Sequence, residues 1–199
     1  GWICPSAPVD TNSLRGLMLS DSWYYAGSVG SAWCSYGWAW ARDEADPQPR
    51  GFRAGSYALN RWFHAWWSVD SGWWVFEEDL RCFYRTESEV RHPSASPLLA
   101  DSINDMVWPG ALDGPPTSFH LGGLCSFCAG ITSMAAVAIP RHGDRPIPPP
   151  TEWPQDRPLP GAVNVAFFDG HGELVSLDRL WQLSWHKDYQ PPAKYPGSP

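Results

Sequence analysis

Residues 162–176 constrain the fold more than any other stretch of the chain. "AVNVAFF" alternates apolar with small or polar residues, "ELVSL" alternates again, and Asp169-Gly170 stands between them. Alternation at a period of two marks a strand with one buried face. An Asp-Gly pair between two such runs predicts a β-hairpin, since a two-residue type I′ turn demands positive φ at both central positions. Beyond it, Leu177, Leu180, Trp181, Ser184 and Trp185 fall at i, i+3, i+4, i+7 and i+8, which predicts one face of a short helix. Ser176 is placed to cap that helix, with Asp178 in its first turn.

The rest of the chain is divided into short elements by its 21 Pro and 18 Gly. Strand-like runs recur in "DSWYYAGSVGSAWCSYGWAW", "GSYALNRWFHAWWS" and "SPLLADSIND", the last ending in polar residues. "GWWVFEEDLRCFYRTESEVRHPSASP" joins an aromatic strand to one or two helical turns, and Pro93 and Pro97 preclude a long helix there. "TSMAAVAIPRHGD" is a short apolar segment halted by Pro140. Residues 145–160 form a proline-rich surface excursion, and 190–199 read as a frayed tail. At 199 residues, with no internal repeat and no clean linker, residues 1–199 form one domain. The expected class is α+β: an antiparallel sheet with long Pro/Gly-rich loops, short helices and a core that draws on the 14 Trp.

Charge narrows the function classes. Net charge is −7 and only Lys187 and Lys194 represent lysine, so no basic stripe exists to track a phosphate backbone, and nucleic acid is not an expected partner. No apolar run approaches the roughly 18–20 residues of a membrane span, and "GWICPSAPVD" lacks the basic start and apolar middle of a signal peptide. An export signal or anchor would therefore lie upstream and be removed. Walker loops, dinucleotide fingerprints and the Gly-x-Ser-x-Gly elbow are all missing from the sequence.

Six motifs occur in order: "CPSA", "GSYALNRWF", "PSASPLLADS" followed by "WPG", "RHG", "NVAFFDGHGELV" and "LWQLSWH". Together they resemble the C-terminal domain of a large bacterial family of pilin-like proteins, related to type II secretion pseudopilins. Its members carry a prepilin-type N-terminal segment, and it takes its name from a His, a short spacer and an Asp-Gly pair. Here those are His142 and Asp169-Gly170, separated by 26 residues because the proline-rich excursion intervenes. An insertion in a surface loop costs little closure entropy. The resemblance covers nearly the whole chain but not the N-terminal helix that anchors and polymerises a pilin. It implies a pseudopilin-like head that is exported to the cell surface, periplasm or extracellular space. The implied partners are other pilin-like subunits or cell-surface components.

His142, Asp169 and His171 are the one His/Asp set the sequence brings together. An imidazole beside the hairpin donating to Asp169 would tie a distant loop to the turn as a structural clamp. Two His and a carboxylate also suit a transition metal or catalysis. Asp101, Asn104 and Asp105 in "ADSIND" offer hard oxygens for Ca2+, or a polar turn after a strand. Glu77, Glu78 and Asp79 are contiguous acids that a glycoside hydrolase would need to bring face to face, or else a solvated edge. Cys125 and Cys128 form a CxxC among five cysteines, read as a local disulfide or inert thiols on one side and as metal or redox duty on the other. Trp66-Trp67 and Trp73-Trp74, if extended, each turn one indole to either face, one into the core and one free to stack on sugar rings. The function expected is a non-catalytic, exported pilin-like head that binds, with polysaccharide as one ligand class. A carbohydrate-active or metal-dependent hydrolase on the same scaffold is the alternative.

Overall fold

The computed structural model describes residues 4, 36–38, 53–63, 80–102, 106–116, 119, 133–147, 153–154 and 157–198. Two strands, β1 (Tyr36–Trp38) and β2 (Arg53–Gly55), pair antiparallel. The main sheet holds β3 (Tyr57–Asn60), β4 (Pro97–Asp101), β5 (Met106–Val107), β6 (Ala162–Phe167) and β7 (Gly172–Ser176) in the order β5-β3-β4-β6-β7. All neighbours run antiparallel except β5, which lies parallel to β3. With one short helix among the described residues, α1 (Ser133–Val137), and several 3-10 turns, the class is α+β as expected. Among the described residues no helix is long and apolar enough to cross a membrane.

Alternation sorts the sheet residues. Ala58 of β3, Ala100 of β4, Val163, Val165 and Phe167 of β6 and Val175 of β7 are all buried, and they pack with α1 residues Met134, Ala136 and Val137. Trp62, Trp181 and Trp185 join that core. Each buried indole N–H finds a carbonyl: Pro109 for Trp62 at 3.1 Å, Asp113 for Trp181 and Leu180 for Trp185, both at 2.7 Å. Asn60, wholly buried, donates from Nδ2 to the carbonyls of Pro97 and Trp185 at 2.8 Å each. One amide thus ties β3 to the start of β4 and to the segment after the final 3-10 helix.

The hairpin forms with a turn other than the one predicted. The Phe167 amide donates to the His171 carbonyl and the Gly170 amide to the Phe167 carbonyl. The loop is therefore the three residues 168–170, with Gly170 alone among the glycines of the turn in the left-handed region at φ 92°. That is the three-residue connection in which a glycine follows a tight turn and forms a bulge. Asp169-Gly170 marked the right place, but the pair does not fill a two-residue turn.

The following helix is also of another kind. Leu177–Gln182 is a 3-10 helix, and Ser176 makes no side-chain capping bond. At three residues per turn, Leu177, Leu180 and Leu183 line up on one face, and all three are buried. Leu183 is extended, so the chain leaves the helix before Ser184 and Trp185 can continue it. Asp178 instead accepts the amide of Leu159 at 2.9 Å, pinning the end of the proline-rich excursion.

The end of the chain, expected to fray, is fastened through residue 198. Tyr195 is buried beside Trp181, its ring centroid 5.3 Å away, and its hydroxyl donates to the Arg157 carbonyl. Gln182 donates to the Pro192 carbonyl at 2.7 Å. A buried aromatic ring holds a segment whose own composition gives no secondary structure.

Candidate functional site

The sheet register lays three polar residues in one row. Tyr57 of β3 faces Asp101 of β4, and Ala100 faces Val165 of β6, so the next position brings Asp101 to Asn164. These positions alternate with Ala58, Ala100 and Val165, and so lie on the sheet face opposite them. Asp101 is nevertheless wholly buried. The Arg141-His142 segment and Cys4 cover it.

A short bridge positions that cover. The His142 amide donates to the Ala162 carbonyl and the Ala162 amide to the His142 carbonyl, both at 2.8 Å. Gly143 (φ 70°) and Gly161 (φ 80°) flank the bridge and turn the chain out into the excursion and back. At Gly161 a Cβ would stand 2.8 Å from the His142 carbonyl oxygen, so only glycine fits. The excursion of 143–161 is closed at its neck, which is why its length leaves the sheet undisturbed.

Asp101 is the hub. Its Oδ2 accepts the Asn164 backbone amide at 2.7 Å and lies 3.0 Å from His142 Nε2. Its Oδ1 lies 3.6 Å from Arg141 Nη1, an ion pair too long to be a hydrogen bond, and has no hydrogen-bond partner among the described residues. Arg141 is equally buried; its Nη1 donates to the Ser56 carbonyl at 2.7 Å, while Nε and Nη2 find no acceptor among the described residues. Burial pushes its guanidinium below the usual range, and the Asp101 charge opposes that. A buried charge pair of this sort cannot lose one member cheaply.

His142 Nε2 is crowded. Asn164 Nδ2 stands 2.9 Å from it and Cys4 Sγ 3.1 Å. The Cys4 amide in turn donates to the Ser56 hydroxyl. Two donors cannot face each other, so either Nε2 is bare toward Asn164 or the amide is turned with its oxygen to the ring. The Tyr57 phenol, pushed up to about 12 by burial and then by neighbouring Asp101 and Cys4, stays protonated beside them at neutral pH.

This placement corrects the clamp drawn between His142 and Asp169. His142 sits opposite Ala162, where β6 begins, whereas Asp169 lies beyond Phe167, where β6 ends. A β6 of six residues separates them by about 20 Å. The imidazole does reach a carboxylate, that of Asp101, and so ties a distant loop to the sheet at its opposite end.

Asp169 and His171 pair with each other instead, Oδ1 to Nδ1 at 2.5 Å, on an exposed turn. His171 also donates its backbone amide to Asp169 Oδ1 and stacks its ring on Phe167, centroids 4.4 Å apart. The His171 hydrogen bond holds the Asp169 carboxyl below the usual carboxylate range. Both side chains are occupied in closing the turn.

Of the set Asp101, Asn104 and Asp105, the structure places Asp101 at the end of β4 rather than in a turn, with His142, Asn164 and Arg141 around its carboxylate. Asn104 and Asp105 lie outside the described residues, as do Glu77, Glu78, Asp79, Trp66, Trp67, Trp73, Trp74, Cys125 and Cys128. Cys4 carries a free, buried thiol. The sequence reading missed Cys4, Arg141 and Asn164. One signal was legible: Asp101 and Asn164 are polar residues inside otherwise apolar strands, "PLLAD" and "AVNVAF". A polar side chain within a sheet needs a partner.

Comparison with protein-family models, with curated proteins and with solved structures finds no match for the chain.

Proposed function

We propose that the chain is the non-catalytic head of an exported pilin-like protein, a pseudopilin-like domain serving in a cell-surface filament or a secretion-associated assembly. Its partners are other pilin-like subunits or cell-surface components, and polysaccharide is its small-ligand class, bound through aromatic side chains. The observation that carries the reading is the use made of Asp101. Its carboxylate is buried, accepts a backbone amide of β6 and holds the imidazole of the Arg-His-Gly segment. A carboxylate used in this way positions chain segments; it is not presented to a substrate. The antiparallel β4-β6-β7 arrangement, ending in a hairpin and a short helix, supports the same reading.

The experiment screens the purified chain against a panel of polysaccharides, scoring retained protein and released sugar together. The reading predicts binding to at least one polysaccharide without turnover. Sugar release that disappears when a single carboxylate is neutralised would replace it with a hydrolase.

A further inference from the structure

Cys4 Sγ, Asp101 Oδ2 and His142 Nε2 converge on one point, and we infer that this point is a binding site for a zinc-like divalent transition metal. One ligand atom from each of the three residues lies within 4.8 Å of the other two. Nε2 is 3.0 Å from Oδ2 and 3.1 Å from Sγ. The edges of a tetrahedral zinc site, with bonds of about 2.0–2.3 Å, measure roughly 3.3–3.7 Å. The two edges that meet at Nε2 therefore need to lengthen by only a few tenths of an ångström to admit the ion.

The donor set selects the metal. A thiolate, an imidazole and a carboxylate together suit zinc and its borderline neighbours, whereas calcium and magnesium take oxygen alone. Binding would release the Cys4 thiol proton to solvent and leave the ligands with two negative charges against the two of the ion. The fourth position falls to the Asn164 side chain, turned to present its oxygen, or to water.

A second, independent feature points the same way. Asp101 is fully buried yet its Oδ1 has no hydrogen-bond partner among the described residues, an arrangement that is costly unless a cation compensates it. Arg141, 3.6 Å from that oxygen, supplies part of the compensation and orients the carboxylate from behind, as outer-shell partners of metal ligands do. The backbone amide of Asn164 holds the other oxygen in place. A metal here would fasten Cys4 to the sheet at β4 and to the neck of the excursion. The inference stands apart from the head-domain reading, since a brace of this kind would serve a binding domain or an enzyme.

Co2+ titrated into the reduced, full chain tests it. The expected result is one equivalent bound, with a thiolate-to-cobalt charge-transfer band in the near ultraviolet that zinc abolishes by displacement. Cys4→Ser should remove the band, and His142→Gln should weaken binding by more than about a hundredfold, since loss of an outer-shell partner alone costs about 10–100-fold. If Cys4→Ser does not fold, the chain carrying Ser at 34, 82, 125 and 128 leaves Cys4 as the sole thiol and should keep the band. Absence of the band from the unaltered chain overturns the inference. So does a band that survives Cys4→Ser or depends on Cys125 and Cys128. The polysaccharide panel is read independently, so the two can fail separately.

Discussion

Neutralising Asp101 is the perturbation with the largest expected consequence. Asp101→Asn keeps the shape of the side chain but removes the charge facing Arg141, whose guanidinium is wholly buried and, among the described residues, has only the Ser56 carbonyl as a hydrogen-bond acceptor. At the observed 3.6 Å, and with an effective dielectric constant of about 20, the bare Coulomb attraction is about 4–5 kcal/mol, before the desolvation that offsets part of it. Breaking a buried pair by removing one partner costs about 3–5 kcal/mol in other proteins. Against a total stability of about 5–15 kcal/mol, that is a third or more of what a domain of this kind has. Urea unfolding at pH 7 reads it as a fall in the midpoint with an unchanged slope. Arg141→Met should cost less, because Asp101 keeps the Asn164 amide and the His142 ring. The double variant should be more stable than the sum of the two losses by about 2–3 kcal/mol. A loss below about 1 kcal/mol for Asp101→Asn, or strict additivity with Arg141→Met, would refute the claim that the pair is coupled.

Three further outcomes follow from local geometry. Burial holds the His186 ring, set between Trp62 and Tyr189, down to about 4 from an ordinary 6.5. The folded state thus binds fewer protons than the unfolded between those values. Stability is full above about pH 6.5 and falls as the pH drops toward 4, by about 1–2 kcal/mol after allowing for the ring's partial exposure, and His186→Phe should flatten that part of a pH-dependent unfolding series. Gly161→Ala forces a Cβ against the His142 carbonyl at positive φ, and should lower stability by about 1–3 kcal/mol in the same urea assay. Asp113→Ala strips the acceptor from the amides of Gly110 and Met134 and should cost about 1–3 kcal/mol, measured as a drop in thermal midpoint.

What was legible in the sequence was local. The β6–β7 hairpin, the strand at "PLLAD" and the short apolar segment ended by Pro140 all follow from patterns within a dozen residues. The final helix was placed correctly but given the wrong period. Leu177, Leu180 and Leu183 suit three residues per turn as well as Leu177, Leu180 and Trp181 suit 3.6, and the core decides between them. The partner of His142 was not legible at all. Asp101 lies 41 residues earlier, and only the pairing of β4 with β6, together with the bridge of His142 to Ala162, brings it near. Asp169, closer to His142 in sequence, is carried away by the length of β6. Cys4 gave no local signal, since its place depends on a hydrogen bond to Ser56 across 52 residues.

Native-state hydrogen exchange at three backbone amides goes to the heart of the account. The amides of His142 and Ala162 bond each other's carbonyls across the neck of the excursion, and that of Asn164 bonds the Asp101 carboxylate. If the row from Asp101 to His142 is the brace of the fold, all three exchange only when the whole domain unfolds, with opening free energies equal to the global value. Exchange of these amides through a low-energy local opening, while β6–β7 stays protected, would contradict it.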